Sequence, residues 1–274
     1  MKPNNFLFIT HLTPQVKRSA IRQKLIDAME LSLHSQTYQN WRAIHIGETD
    51  RVRGKITEIN VERIAISEYY STQEFMDILD WADYIIKLDD DDIILPNTLE
   101  AYSHSEWDCI FDDEHVFYDI VTNRFSRQKR DWIPATCLHK KSCAIQPLSG
   151  SGNFINSLFY GNHAKDWIQF YKTRRVHRTG MGNPLYVRIL SPTSITAQMS
   201  GVMDDQISAY CNYLSQFGNW SSVAFLTTSE RRFYQEANLM SDETIERYGI
   251  GLDRAIRAQS SGKIYRWVRR LFRK

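Results

Sequence analysis

The sequence predicts an α/β fold with a mixed, mainly parallel sheet flanked by helices. Short apolar segments alternate with helical segments over the first 105 residues, which is typical of strand–helix–strand crossover units. Four consecutive aspartates directly follow one apolar segment. Because ligands bind beyond the carboxyl ends of the strands in such sheets, these aspartates indicate a functional site. The chain has 274 residues, 42% hydrophobic and 24% charged, and is therefore long enough for a large core and not typical of disorder.

Composition excludes some classes of protein. The chain has no apolar run of the roughly 18 residues that a membrane span needs. Residues 6–9 are too short to be the core of a signal peptide. The cysteines show no C-x-x-C spacing, which favours reduced thiols and a cytoplasmic protein. They are Cys109, Cys137, Cys143 and Cys211.

The predicted elements follow from apolar periodicity. A first strand at residues 6–9 ends at Thr10 and His11, and a helix over residues 21–33 follows. Ser71 and Glu74 have capping-box spacing and predict a helix start, and Pro96 is expected in the first turn of another helix. Further strands are predicted at residues 41–46, 63–66, 84–88 and 185–190, a hairpin at 108–119 and 123–128, and helices near 205–216 and 242–258.

The cluster Asp89–Asp92 is the most informative feature. Adjacent carboxylates repel one another, so a positive group is expected to offset them. A hard divalent cation prefers carboxylate oxygens and is often shared with the phosphates of a substrate. The cluster therefore predicts a Mn²⁺ or Mg²⁺ site. A solvated acidic turn before a helix, where the helix dipole favours acids, is the alternative interpretation.

Two segments carry a resemblance to glycosyltransferase family 2. The segment SQTYQNW at 35–41 resembles the Q-T-Y-x-N-W motif before the second strand of that family. The segment KLDDDDIILPNTLE at 87–100 resembles its L-D-x-D-D-x-x-x-P motif, which carries the metal-binding D-x-D. With the first strand, the resemblance covers about the first 105 residues. It implies a GT-A (Rossmann-like) fold, followed here by a C-terminal helical extension.

The resemblance also implies a metal site. Asp89 and Asp91 match the D-x-D pair, with Asp91 as the closest metal ligand and Asp89 or Asp90 nearer the donor's ribose. A weaker similarity to bacterial proteins described as rhamnosyltransferases, which share a histidine that His163 could match, is a hint about the donor sugar only. Some GT-A enzymes use a late histidine as a further metal ligand, so His163 or His177 is a candidate, with a surface or packing role as the alternative. When bound, the metal would stabilise a departing nucleoside diphosphate as a Lewis acid.

Four residues outside the acidic cluster are candidates for donor binding. Thr10 and His11 end the first strand and are expected near the nucleotide. The family usually has D-D-G-S-T-D after the second strand, and Glu48 stands close to where an aspartate of that motif reads the base. Arg53 is a candidate partner of the diphosphate, with a solvated basic loop as the alternative.

An inverting transfer needs a carboxylate that deprotonates the acceptor hydroxyl. The family places this acid in an E-D pair at the start of a helix well after the D-x-D, and Asp204 and Asp205 match that position. We predict Asp205 as the base and Asp204 as its neighbour, although helix capping also explains Asp204. Asp113 is the alternative candidate for the base, because it follows the next strand after the D-x-D.

The C-terminal segment 263–274 has a distinct composition. It contains six basic residues and no acidic residue, whereas the chain as a whole has a net charge of only +2. Its apolar residues recur at helical spacing and predict an amphipathic helix on an anionic membrane surface. They are Ile264, Trp267, Val268, Leu271 and Phe272. Packing of this helix on the domain is the alternative. The rest of the chain is mildly acidic, so we expect no nucleic-acid partner.

The predicted function is transfer of a sugar from a nucleotide-sugar donor to a glycan or lipid-linked acceptor, with inversion, in bacterial surface polysaccharide synthesis. Residues 1–240 are predicted to form the transferase domain, with a nucleotide-sugar half at 1–105 and an acceptor half at 106–240. Residues 241–274 are predicted to form the helical extension. A non-catalytic scaffold that binds nucleotide sugars is the alternative function. An aspartyl phosphotransferase is disfavoured, because those enzymes usually carry their D-x-D after the first strand.

Overall fold

The computed structural model describes residues 2–60, 66–129, 132–145, 166–179, 184–192, 194–202, 207–217, 220–221, 246–247 and 249–258. The chain forms two compact units. The first unit comprises residues 1–115 and 129–187, and the second unit comprises residues 116–128 and 188–274. The predicted boundary at residue 240 lies outside the described residues, so that assignment stays a prediction.

The strands predicted at 6–9, 41–46, 84–88 and 185–190 are present, and the structure contains further strands that the sequence does not predict. The strands are β1 (Phe6–His11), β2 (Trp41–Gly47), β3 (Arg51–Arg53), β4 (Ile56–Asn60), β5 (Tyr84–Lys87), β6 (Ile93–Ile94), β7 (Cys109–Asp112), β8 (Glu114–Asp119), β9 (Arg124–Lys129), β10 (Leu138–Lys140), β11 (Val176–Thr179), β12 (Tyr186–Leu190) and β13 (Trp220–Ser221). The helices are α1 (Ala20–His34), α2 (Ile66–Tyr69), α3 (Gln73–Trp81), α4 (Thr98–Ala101), α5 (Lys141–Ala144), α6 (Ile168–Tyr171), α7 (Ile195–Met199) and α8 (Ile207–Leu214). Of these described helices, none is long and apolar enough to cross a membrane.

An eight-stranded sheet forms the first unit, in the order β11-β7-β10-β5-β1-β2-β4-β3. The strands β4, β2, β1 and β5 run parallel to one another. Both β5 and β7 run antiparallel to β10, which lies between them, and β11 is parallel to β7. Only β3 and β10 therefore run antiparallel to the other strands of this sheet. The predicted mixed, mainly parallel sheet is confirmed.

Both faces of this sheet are covered, which explains the continuous apolar run in β1. Successive side chains of a strand point to opposite faces, so β1 contributes to two cores. One core contains Leu7 and Ile9 together with Phe75 and Leu79 of α3. The other core contains Phe6 and Phe8 of β1 together with Ile26, Met29 and Leu33 of α1.

Local capping explains where α1 and α3, the two longest described helices of the first unit, begin. Ser19 precedes α1, and its side chain accepts a hydrogen bond from the backbone N–H of Arg22. The predicted cap of α3 at Ser71 is wrong by one residue, because Thr72 has the extended conformation and accepts from the backbone N–H of Phe75. The strand predicted at 63–66 lies largely outside the described residues, and Ile66 begins α2. Pro96 comes just before the first turn of α4, not within it.

The predicted hairpin is present in part, as the neighbouring strands β8 and β9. Its first predicted segment, 108–119, is divided between β7 of the eight-stranded sheet and β8. The turn between β8 and β9 is held by Asp119, whose buried carboxylate accepts hydrogen bonds from the backbone N–H of Thr122, at 2.9 Å, and from the hydroxyl of Tyr210 on α8, at 2.5 Å. Asn123 ends the turn with a positive φ of 53°. Residues 249–258 are helical, and Asp253 in this segment pairs with Arg124 of β9 at 2.6 Å.

Candidate active site

The carboxyl ends of β1, β2 and β5 meet at one edge of the sheet. β1 pairs in parallel with β2 on one side and with β5 on the other. The chain passes from β1 to β2 and β4 in one direction and only then places β5 on the opposite side of β1. The strand order therefore reverses between β1 and β5. Ligands of open α/β sheets bind in the crevice at such a switch point.

Asp89–Asp92 forms a tight turn directly after β5. The backbone N–H of Leu88 donates to the carbonyl of Ile9 in β1 at 3.1 Å, which continues the parallel pairing up to the turn. The backbone N–H of Asp92 then donates to the carbonyl of Asp89 at 3.1 Å, as in a β-turn. Asp90 and Asp91 occupy the two central positions. The aspartates therefore lie at the switch point.

Arg22 binds the two central aspartates. It lies in the first turn of α1, and its guanidinium donates to one carboxylate oxygen of Asp90 and one of Asp91. Its Nε donates to the hydroxyl of Thr13 at 2.9 Å. The backbone N–H of Thr13 donates to the other oxygen of Asp90 at 2.6 Å. Both oxygens of Asp90 are therefore engaged within the protein.

Asp89 and Asp91 each keep an open carboxylate oxygen. Asp91 uses Oδ2 for Arg22, and Oδ1 has no hydrogen-bond partner among the described residues. The side chain of Asp89 is 46% exposed, and its Oδ1 lies 3.5 Å from the ammonium of Lys87. Burial, together with the charges of Asp89 and Asp90, raises the pKa of Asp91 to about 6 against the opposing effect of Arg22. Negative charge is therefore in excess at this turn.

The donor set fits a hard divalent cation. The open oxygens belong to Asp89 and Asp91, which are the pair that the sequence predicts as ligands. Carboxylate oxygens are the ligands that Mg²⁺ and Mn²⁺ prefer. Asp90 differs, because its two oxygens already accept hydrogen bonds from Arg22 and Thr13. The chemistry of the turn is thus consistent with two aspartates two positions apart as ligands.

Thr10 and His11 lie beside the turn, at the end of β1. Thr10 is fully buried, and its hydroxyl has no hydrogen-bond partner among the described residues. His11 Nε2 lies 3.4 Å from the hydroxyl of Tyr70. Burial lowers the pKa of His11, and Lys87 lowers it further against the effect of the nearby aspartates. The imidazole is therefore expected to be neutral, with a hydrogen-bonding role.

The structure places Glu48 near the same edge and Arg53 away from it. Glu48 follows β2, and its carboxylate accepts from the backbone N–H of Gln15 at 2.8 Å. Arg53 on β3 is paired with Ile56 on β4, and Ile56 is paired with Ala43 on β2. Ala43 lies four residues before the end of β2. At a rise of about 3.3 Å per residue, Arg53 is about 13 Å from that end along the strand.

Arg53 has a partner of its own. Its guanidinium donates to both carboxylate oxygens of Glu30 on α1, at 2.7 and 2.5 Å. Although burial raises the pKa of Glu30, the nearby His45 ring and the hydrogen bonds from Arg53 lower it to about 2. The Glu30 carboxylate is therefore ionised and holds Arg53 against α1. This ion pair accounts for the position of the Arg53 side chain without a bound diphosphate.

Asp113 lies at the same edge, two strands from the acidic turn. Leu138 of β10 pairs with Ile86 on one side and with Ile110 on the other. Asp89 lies three residues after Ile86, and Asp113 lies three residues after Ile110. The two aspartates are therefore at the same height along the sheet, on strands that are two interstrand spacings of about 4.8 Å apart. Asp113 pairs with Arg178 at 3.3 Å and with Lys129 at 3.8 Å.

Its neighbour Asp112 is a buried structural anchor. The carboxylate of Asp112 accepts from the backbone N–H of Leu185 at 2.9 Å and contacts the hydroxyl of Thr179 at 2.6 Å. It therefore ties the end of β7 to the end of β11 and to the start of β12.

Three predicted site residues lie outside the described residues. They are Asp204, Asp205 and His163. Their predicted roles as base, neighbour of the base and metal ligand stay predictions.

Arg22 and Thr13 belong to the site but are absent from the sequence-based prediction. A signal for Arg22 exists, because four adjacent carboxylates require nearby positive charge. A basic residue in the first turn of the helix after β1 is well placed to supply it. Thr13 gives no comparable signal, since its contribution to Asp90 comes largely from its backbone N–H.

No family model and no curated protein matches the chain. The chain is similar to a solved structure of TarS from S. aureus over 88% of its length and 54% of TarS, with 10% identity and a TM-score of 0.37. It is similar to the glycosyltransferase GlyE from Streptococcus pneumoniae over 92% of its length and 63% of GlyE, with 10% identity and a TM-score of 0.36. A structure of GalNAc-T7 with UDP, GalNAc and Mn²⁺ matches over 89% of this chain and 56% of that protein, with 9% identity and a TM-score of 0.39. The chain thus spans between about half and two thirds of these proteins, and likeness at this level carries no functional argument.

Proposed function

We propose that the chain is a metal-dependent glycosyltransferase of the GT-A type that uses a nucleotide-sugar donor. One observation carries the proposal: the Asp89–Asp92 turn lies at the switch point of the sheet and leaves one oxygen each of Asp89 and Asp91 open. This position is where an open α/β sheet binds ligands. The open oxygens suit a divalent cation shared with a diphosphate.

Each group of the turn has a role in this proposal. Asp89 and Asp91 hold Mn²⁺ or Mg²⁺, which, when bound, neutralises the diphosphate leaving group as a Lewis acid. Arg22 and Thr13 hold the turn in the geometry that presents these two oxygens. Thr10 and His11 line the nucleotide side, and Glu48 contacts the base.

The acceptor side rests on the sequence. Asp205, with Asp204 beside it, is proposed as the base that deprotonates the acceptor hydroxyl in an inverting transfer. Asp113 is the other candidate, supported by its level position two strands from Asp89. The acceptor is proposed to be a glycan or a lipid-linked sugar of a bacterial surface polysaccharide. The basic segment 263–274, outside the described residues, is proposed to bind an anionic membrane surface.

Calorimetry on the full chain tests the proposal. Nucleoside diphosphates and their sugar conjugates are titrated in the presence of Mn²⁺ or Mg²⁺ and again with chelator. We expect metal-dependent binding by the native chain and by Asp77→Asn, a matched control on the exposed surface of α3. We expect much weaker binding by Asp91→Asn. Equal binding by both variants would contradict the proposed site.

Turnover separates an enzyme from a scaffold. A donor that binds in calorimetry is incubated with the chain and metal, and release of nucleoside diphosphate is measured with candidate acceptors. Accelerated release that Asp91→Asn loses supports the transferase. Metal-dependent binding without release, across glycan and lipid-linked acceptors, would support the non-catalytic scaffold.

A further inference from the structure

Two cysteines and a histidine meet in the core of the first unit, on β7 and at β10. Cys109 on β7 pairs directly with His139 on β10. Cys137 stands two residues before His139, so its side chain lies on the same face of the sheet. The Sγ atoms of Cys109 and Cys137 and a ring nitrogen of His139 all lie within 4.8 Å of one another.

This cluster is enclosed. Cys109 and Cys137 are 0% exposed and His139 is 2% exposed. The ring of Trp167 packs edge-on against His139 with centroids 4.7 Å apart, and the ring of Tyr171 stacks on it at 5.6 Å. Polar groups buried to this degree normally need a partner that satisfies them.

The two nitrogens of His139 have different partners. Nδ1 lies 2.5 Å from the hydroxyl of Tyr171, whereas Nε2 lies 3.0 Å from Sγ of Cys137. A metal-bound histidine is typically oriented in this way, with one nitrogen held by an outer hydrogen-bond partner and the other directed at the ion. Tyr171 would therefore orient the ring, and Nε2 would face the thiols.

We propose that Cys109, Cys137 and His139 bind a thiophilic metal ion, Zn²⁺ or Cu⁺. Thiolate sulfur and imidazole nitrogen are the ligands that these ions prefer. Zn–S and Zn–N distances of about 2.3 and 2.0 Å require ligand atoms about 3.5–3.8 Å apart, so small shifts within the present spacing suffice. Binding releases the protons of both thiols. With Zn²⁺, two thiolates and a neutral imidazole, the complex carries no net charge and is suited to a core.

A disulfide explains the cluster less well. Cys109 and Cys137 are diagonal across β7 and β10, and diagonal neighbours in antiparallel strands are about 7–8 Å apart. That separation exceeds the Cα span of most disulfides. A disulfide would also leave His139 without a role. A metal ion engages all three groups and would hold β10 against β7, the strand that ends directly before Asp113.

Metal analysis of the purified full chain tests the proposal. The chain is produced in medium supplemented with zinc or copper and purified under reducing conditions without chelator. We expect one ion per chain in the native protein and in Cys143→Ser, a buried cysteine of the same core outside the cluster. We expect loss of the ion in Cys109→Ser and His139→Gln. The element found distinguishes Zn²⁺ from Cu⁺.

A spectroscopic measurement keeps the test independent of whether these variants fold. The native chain and Cys143→Ser are produced in cobalt-supplemented medium, and the near-ultraviolet absorption is recorded. Thiolate-to-cobalt charge transfer is expected in both, and the carboxylates of Asp89 and Asp91 cannot produce it. Native protein without this band and without zinc or copper would overturn the proposal, as would equal metal content in Cys109→Ser and the native chain. The cluster would then be a hydrogen-bonded thiol pair in the core.

Discussion

The guanidinium of Arg22 donates to the carboxylate of Asp91 although 69 residues separate the two in the sequence. The same guanidinium donates to Asp90. Arg22 thus links the first turn of α1 to the acidic turn after β5. The side chain of Arg22 is 14% exposed, so this ion pair is only weakly screened by solvent.

Replacing Arg22 is expected to destabilise the fold and to strengthen the effect of metal on stability. Arg22→Met leaves the carboxylates of Asp90 and Asp91 without their shared cation. We expect a loss of about 1–3 kcal/mol in the free energy of unfolding, less than for a fully buried pair. Added Mn²⁺ should then raise the melting temperature more in Arg22→Met than in the native chain, because the ion replaces the missing charge. Thermal unfolding with and without Mn²⁺ measures both effects.

Lys24→Gln is the matched control, since Lys24 is an exposed cation on the same helix. It should leave the melting temperature and its dependence on Mn²⁺ unchanged. An equal response of the two variants would mean that Arg22 acts through the net charge of the chain and not through its contacts.

Asp90 and Asp91 are expected to respond differently to the same substitution. In Asp90→Asn one acceptor oxygen becomes an N–H donor facing Thr13 or Arg22, so we expect about 1–3 kcal/mol lower stability with metal-dependent binding largely kept. In Asp91→Asn we expect lost binding with a smaller loss of stability. Urea unfolding and calorimetry on each variant measure the two quantities. Lost binding in both would assign Asp90 to the metal as well.

The sequence predicted the sheet and the position of the acidic turn because both depend on local patterns. The apolar run of β5 followed by Asp89–Asp92 determines where the turn lies. The four carboxylates indicate that a positive group lies nearby, but the pattern does not identify Arg22 by itself, since Arg22 reaches the turn through the packing of α1. For Arg53 the local pattern was misleading. Its charge and its position after β2 predict a contact with the diphosphate, whereas the antiparallel pairing of β3 with β4 places it beside Glu30.

Asp205→Asn is expected to fold and bind donor but to lose at least about two orders of magnitude in turnover, as for a missing general base. Asp113→Asn is expected to change turnover only a few-fold, because the ion pairs of Asp113 with Arg178 and Lys129 explain this carboxylate without a role as base. Release of nucleoside diphosphate at saturating donor measures both. The reverse result would make Asp113 the base.

The segment 263–274 is expected to attach the chain to anionic membranes. Each basic residue near anionic lipid contributes about 1 kcal/mol, so the cluster should give reversible binding that weakens with salt. In co-sedimentation the full chain should pellet with anionic and not with neutral vesicles, whereas a chain ending at Ser261 should stay in solution. Equal behaviour of the two chains would leave only a packing role for the segment.

The stability of the first unit is expected to fall as pH rises through the titration of Asp112. Burial raises the pKa of Asp112 from 3.8 to about 7, against the hydrogen bonds from Thr179 and Leu185 that lower it. Between these values the folded chain keeps a proton that the unfolded chain has lost, so the free energy of unfolding decreases with increasing pH. The shift corresponds to a decrease in the free energy of unfolding on the order of 4 kcal/mol above the folded pKa.

The variant Asp112→Asn tests this expectation. It cannot ionise and still offers an amide oxygen to the backbone N–H of Leu185, so it should remove the part of the pH dependence that comes from Asp112. Urea unfolding from about pH 4 to about pH 8 measures the difference, with the exposed Asp80→Asn as control. A slope in Asp112→Asn equal to that of the native chain would show that Asp112 is ionised in the fold, held by the hydrogen bonds it accepts.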